Sequence, residues 1–162
     1  MDQIALREAS IDDVAGIAHV RTSVTENQIT IERLKRMDLP QARFESSMRQ
    51  GSKGWVAEQR GQIVAFSIAH QLSRSIFALF VLPEYENRGL GTRLLARASN
   101  WLWDNGADIV WLTTAPNTRA ARFYERCGWT YSGVEANGEL RFERKRPTFG
   151  PAATNPDFSP GP

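Results

Sequence analysis

Residues Ser75 to Leu95 read SIFALFVLPEYENRGLGTRLL. The first half is an apolar run, Ile76 to Leu82, with the aromatic and branched side chains that favour a strand. Pro83 stops it. From Gly89 the period changes. Leu90, Leu94, Ala98, Trp101 and Leu102 share one face of a helix that runs to Trp103 and ends at Asn105-Gly106. A strand without polar alternation is expected to be central and covered on both faces. The turn between strand and helix, Arg88-Gly89-Leu90-Gly91-Thr92, holds the unpaired N–H groups and positive dipole end of the helix. Alternate glycines lack Cβ atoms and let an anion approach the backbone. Asn87 to Thr92 can thus form a phosphate nest, with the Thr92 hydroxyl as an extra donor. A ligand-free turn fits a bare Gly-x-Gly equally well. The stretch lacks the third glycine of a dinucleotide fingerprint and the Gly-Lys-Ser/Thr of a P-loop.

Working outward, residues 108–114 read as another apolar strand and Thr118–Arg126 as a helix ending at Gly128. Tyr131–Val134 and Glu139–Arg144 form a hairpin around Asn137-Gly138. Upstream, Trp55–Glu58 and Ile63–His70 are strands joined through Gln59-Arg60-Gly61-Gln62. Ile4–Arg7 is a first strand. Ser10 is an N-cap, Asp12 and Asp13 suit the first helical turn, and Ile11, Val14, Ile17, Ala18 and Val24 make a helical stripe. A further helix is expected around Ile31–Met37 or later, broken by Asp38-Leu39-Pro40. The order predicts an α/β fold with a mixed sheet of α+β type, not a doubly wound one.

Length and composition bound the rest. The 162 residues suit one domain, residues 1–146, followed by a Pro/Gly-rich tail, residues 147–162. Hydrophobic residues at 41% and charged residues at 23% support a globular core. One cysteine, Cys127, excludes an internal disulfide or a multi-Cys zinc site, and two histidines far apart argue against a metal centre. The N-terminus shows no secretory pattern, and the longest apolar run is far shorter than the ~18 residues of a membrane span. A cytoplasmic protein is expected. The net charge is only +2, and seventeen of the twenty basic residues are arginine, dispersed along the chain. Neither nucleic acid nor a membrane surface is an expected partner.

Thr113 to Gly128, TTAPNTRAARFYERCG, is a second strand running into a helix. Asn117 sits in the turn, and the small Ala120 and Ala121 precede Tyr124. Alone, Asn117 reads as a turn residue and Tyr124 as a core aromatic. Taken together, the two windows resemble the GCN5-related N-acetyltransferase (GNAT) family. That family's Gln/Arg-x-x-Gly-x-Gly/Ala, after a β-bulged strand, aligns with Glu86-Asn87-Arg88-Gly89-Leu90-Gly91. Its Asn-x-x-Ala-x-x-x-Tyr, ahead of a Gly-aromatic pair, aligns with Asn117, Ala120, Tyr124 and Gly128-Trp129. The likeness covers residues 55–145 well and the first 50 loosely, through Leu6-Arg7-Glu8-Ala9. Its first motif position departs, with Glu86 in place of Gln or Arg.

The resemblance implies an enzyme, an N-acetyltransferase with acetyl-CoA as co-substrate and no metal. The Arg88–Thr92 turn, with Leu90 inside it, would hold the CoA pyrophosphate. The backbone of Phe80 and Val81 would pair with the pantetheine arm, and Asn117 would bond it. The sheet would splay between residues 75–82 and 108–114 around the thioester, with a backbone N–H near Phe80–Val81 as oxyanion donor. Tyr124 would protonate the leaving thiolate, and Arg88 and Arg93 would flank the anion. A homodimer is a possible assembly.

An alkyl amine must shed a proton before attack, which needs a base. Many relatives carry a Glu on the central strand. Residues Ile76 to Val81 offer none, so Glu26 is a candidate catalytic base and His70 another. Cys127, at a helix C-terminus, is expected to be structural. The acceptor pocket is expected from residues 22–50 and the last hairpin. The rival reading is a non-catalytic acyl-CoA-binding or interaction module, and a third is an NAD-type dinucleotide protein.

Overall fold

The computed structural model describes residues 3–24 and 41–148, with backbone only for 41–44. Its seven strands form one mixed sheet of spatial order β1-β2-β3-β4-β5-β7-β6. They are β1 (Ala5–Glu8), β2 (Ser52–Gln59), β3 (Gln62–His70), β4 (Ser75–Val81), β5 (Ile109–Thr114), β6 (Thr130–Val134) and β7 (Leu140–Lys145). The helices are α1 (Val14–Ser23), α2 (Gln41–Arg49), α3 (Leu90–Asp104) and α4 (Arg119–Arg126). The predicted α/β order stands. The helix expected near residues 31–37, and the break at 38–40, lie outside the described residues. Among the described residues no helix is long and apolar enough to cross a membrane.

Strands β1 to β4 form an antiparallel meander. The β2–β3 turn puts Arg60 and Gly61 at φ 54° and 78°, the doubly left-handed turn that matches strand twist. Beyond β4 the sheet changes character. β4 and β5 run parallel and pair at a single position, Ser75 with Trp111. The Trp111 N–H donates to the Arg74 carbonyl at 3.3 Å. From there the two strands diverge. β4 also carries a bulge: Ala78 faces Ile68 and Ile76 faces Ala69, which leaves Phe77 as the extra residue.

These features correct one expectation. β4 is central, but it is not covered on both faces. Phe77 is 53% exposed, and Ala78 to Val81 are only half-buried. With β5 gone from its flank after Ser75, the strand has lost one wall of its cover.

Side-chain alternation sorts the helices onto two faces. Phe66 of β3 packs on Phe80, 5.7 Å between ring centres, and Phe80 lies 4.3 Å beneath the Arg21 guanidinium of α1. The next residue, Ser67, donates to the Leu94 carbonyl of α3 at 3.2 Å. So α1 and α3 cover opposite faces. Phe142 of β7 packs on Tyr124 of α4 at 5.9 Å. The Arg144 guanidinium, two residues on, lies 5.7 Å from the Trp103 ring of α3, so α4 shares the α3 face. His70 pairs with Ser75 and bonds Ser52 through Nδ1 at 2.8 Å. Ser47 of α2 donates to Ser52 at 2.8 Å, which sets α2 with α1.

The chain's first strand is tied down by charge. Arg7 donates to both Asp13 oxygens at 2.8 Å and to Glu58 at 2.9 Å. Asp13 also accepts the Ser10 N–H at 2.7 Å and is buried. The Arg7 hydrogen bonds hold the Asp13 carboxyl below the usual carboxylate range. A depressed pKa adds stability above the unfolded value, and that stability is lost as pH falls through the folded one. Because the Arg7 side chain is 41% exposed, solvent screening limits the gain, and Asp13→Asn is expected to cost roughly 1–2 kcal/mol at neutral pH. Urea unfolding at pH 7 and near pH 3 measures it. The wild type should lose an acid-sensitive increment that Asp13→Asn lacks, and equal acid sensitivity would remove Asp13 as its source.

Candidate active site

The turn ahead of α3 is shaped by two left-handed residues, Asn87 at φ 63° and Gly89 at φ 80°. The first intrahelical bond runs from Arg93 N–H to Gly89 carbonyl at 3.1 Å. The N–H groups of Gly89, Leu90, Gly91 and Thr92 therefore have no helical acceptor, as an anion site requires. A Cβ on Gly89 would meet no protein atom within 4 Å, so its left-handed φ is the part of the fold that demands glycine. A Cβ on Gly91 would come 3.4 Å from Phe123, because α4 packs there. The Leu90 side chain is core, 2% exposed, and only its backbone faces the turn. The Thr92 hydroxyl lies near Cys127 and draws its thiol's pKa down. Arg88 sits 4.8 Å over the Tyr85 ring and donates to the Glu84 carbonyl at 3.2 Å.

The two sequence windows meet in space. Glu86 accepts from Arg119, the first residue of α4, at 2.7 Å. Phe123 abuts Gly91 and Cys127 abuts Thr92, so the turn and α4 form one unit. Glu86, the departure from the family pattern, is charge-paired by the second window.

The gap between β4 and β5 is lined by backbone. The Leu82 N–H bonds the Val64 carbonyl of β3 at 2.9 Å. By antiparallel alternation the backbone groups of Phe80 also face β3, opposite Phe66. Those of Leu79 and Val81 face the gap. Of the two residues expected to pair with a cofactor arm, Val81 is so placed and Phe80 is not. The Phe80 ring turns to the α1 face instead. On the other wall the Trp111 N–H points at β4, so by the same alternation the backbone of Thr113 borders the gap.

Tyr124 is 6% exposed and packs against Phe123, Trp129 and Phe142 at ring distances of 5.3, 6.2 and 5.9 Å. Burial, with a smaller contribution from Cys127, pushes its phenol up and keeps it protonated at neutral pH. Asn117, at φ 60° and exposed, lies in the turn before α4. There Thr118 caps the helix by accepting the Ala121 N–H at 3.4 Å. Burial raises the Cys127 thiol more than neighbouring Arg126 and Arg144 lower it, so the thiol is protonated. Of the candidate bases, Glu26 lies outside the described residues. His70 sits where β4 and β5 still meet, its Nδ1 held by Ser52, and it does not border the gap.

Sequence reasoning passed over a pair on the other face. Thr113 donates to Glu139 at 2.7 Å, across β5 and the start of β7. Beside them Arg141 lies 4.3 Å over the Trp111 ring and pairs with Glu143 at 3.0 Å and Glu135 at 3.8 Å. The last hairpin was expected to line an acceptor pocket, and the register, Thr114 against Leu140, is what singles out Glu139 within it.

Residues 20–129 match the model of the Acetyltransferase (GNAT) family. The amino-acid acetyltransferase of Pseudomonas putida (strain GB-1) is 31% identical over 134 residues, which are 80% of this chain and 28% of that protein. The chain spans little more than a quarter of the length of such curated relatives. Among solved structures, the PaiA N-acetyltransferase from Thermoplasma acidophilum, in complex with coenzyme A, superposes at a TM-score of 0.76 and 16% identity. It covers 89% of this chain and 99% of its own. An N-acetyltransferase from Staphylococcus aureus gives 0.73 at 15% identity, covering 88% and 98%. At such identities the likeness is one of fold.

The turn geometry makes a test free of any ligand. Gly89→Ala is expected to destabilise the fold by about 1–2 kcal/mol although its methyl meets open space, because an L-residue resists left-handed φ. Thermal and urea unfolding measure it, and a neutral result would show that the turn relaxes out of this conformation.

Proposed function

Because the chain belongs to the acetyltransferase (GNAT) family, we propose that it is an acetyl-CoA-dependent N-acetyltransferase acting on a primary amine by direct transfer. One observation carries the reading. The anion turn and the Tyr124 helix are joined, through Glu86–Arg119 and Gly91–Phe123, beside a gap whose β4 edge is unpaired. Coenzyme A in the Thermoplasma relative, and the name of the Pseudomonas one, support acetyl-CoA as donor and an amino acid among the acceptors to try first.

In this reading the free N–H groups of Gly89 to Thr92 hold the pyrophosphate. The Val81 backbone pairs with the pantetheine arm, and Asn117 bonds it from the far side. An N–H of Leu79 or Val81 polarises the thioester carbonyl, where negative charge develops as the amine attacks. Nitrogen bonds to the carbonyl carbon and the carbon–sulfur bond breaks. Tyr124 gives its proton to the departing sulfur and recovers one from the new amide nitrogen. The phenol is loaded at neutral pH, as burial requires. The acceptor meets a different difficulty: an alkyl ammonium of pKa ~10.4 costs about 4–5 kcal/mol to deprotonate near pH 7.

The absence of a carboxylate from Ile76 to Val81 favours a second reading, an acyl-CoA-binding module without turnover. An amine and amino-acid panel with acetyl-CoA, read by thiol release and product mass, separates the two. Silence across the panel, with acetyl-CoA still raising the unfolding temperature, would establish the module. Within the enzyme reading, Tyr124→Phe is expected to lower kcat roughly 10–1000-fold with CoA affinity near wild type. Unchanged kcat would remove Tyr124 as the acid. Gly89→Val should abolish stabilisation by CoA, measured against its own ligand-free unfolding temperature. Normal CoA binding in that variant would move the anchor elsewhere.

A further inference from the structure

We infer that Glu139 receives the acceptor amine and takes its proton, on the opposite face of the sheet from Tyr124; this rests on the transferase reading above. Thr113 and Trp111 alternate with Leu112, and Leu112 pairs with Phe142, against which Tyr124 packs. Thr113 therefore points to the α1–α2 face. Its hydroxyl fixes one Glu139 oxygen at 2.7 Å, two residues past the last position where β4 and β5 pair. A carboxylate is thus held over β5, the strand that borders the gap, on the face opposite Tyr124.

The neighbouring charges single out Glu139. Glu135 and Glu143 both pair with Arg141. No cation pairs with Glu139 among the described residues. It is half-buried and held by a neutral hydroxyl. Its backbone is fixed as well: the Glu139 N–H donates to Asn137 Oδ1 at 3.0 Å, and its carbonyl accepts the Glu135 N–H at 2.8 Å. A positioned, half-buried carboxylate without a counter-ion is what a primary ammonium would recognise.

The proton ledger closes with this residue. The ammonium gives one proton to Glu139, which passes it to water. The freed lone pair attacks through the gap. The nitrogen then carries the positive charge and gives its second proton to the Tyr124 phenolate, which has just protonated the sulfur. The products are an amide, a free thiol and one proton in solution. Amine entry and thiolate departure lie on opposite faces, so neither group need cross the other.

The test uses the full chain with amino acids and with alkyl amines graded in basicity, from aminoacetonitrile to ethylamine. Glu139→Gln keeps an acceptor for the Thr113 hydroxyl, so the fold is expected to survive, and acetyl-CoA should stabilise it as it does the wild type. Its kcat/KM is expected to fall roughly 100-fold or more for strongly basic amines. The loss should shrink steadily as the amine becomes less basic. Thr113→Val, which leaves the carboxylate but frees it, should give a smaller loss with the same trend. No loss in Glu139→Gln, or an equal loss across the series, would overturn the role while leaving the transferase reading intact. A wild type that binds acetyl-CoA and acetylates none of these acceptors would overturn both.

Discussion

The sheet is held across its middle by one residue pair. Ser75 and Trp111 join β4 to β5, and the gap in the candidate site follows from the failure of that pairing to continue. A parallel ladder that stops after one position leaves two strands with bonding groups facing each other across open space. Buried backbone groups require partners, so such an opening persists only where water or a ligand can satisfy them. The bulge at Phe77 works in the same direction, since it strengthens local twist and turns the end of β4 away from its former neighbour. On the other edge of β5 the sheet continues through β7, which enters between β5 and β6.

The two faces of the sheet are assembled differently. One carries α3 and α4, welded by Glu86–Arg119 and by the close approach of Phe123 to Gly91. The other carries α1, α2 and the polar row from Trp111 to Glu139. The first is built from local motifs, each a strand, a turn and a helix. The second is assembled from residues far apart in sequence, and its β7 contribution arrives last along the chain.

That difference explains what the sequence disclosed. The strands, α3 and α4 were legible because their periods are regular and their punctuation strong: Pro83, Gly89, Asn105-Gly106 and Gly128. The turn before α3 was legible because glycine spacing is a local signal. The coverage of β4 was misjudged, since an apolar run reads alike whether a neighbouring strand or a cleft lies beside it. The Phe80 backbone faces β3 and not the gap, because alternation depends on register, and register is set by β3. The last hairpin was expected to border an acceptor pocket, but Glu139 within it was not singled out, for a related reason. Its partner Thr113 is twenty-six residues away, and no motif marks either. The pairing of Glu86 with Arg119 was equally hidden, and it turned an apparent defect of the motif into a contact.

That contact limits how the chain can be re-engineered. Glutamine at position 86 would remove the negative charge that Arg119 now meets at 2.7 Å beside the turn before α3. Restoring arginine would set two guanidinium groups against each other where 2.7 Å now separates opposite charges. Positions 86 and 119 are therefore to be exchanged together when this motif is grafted or redesigned.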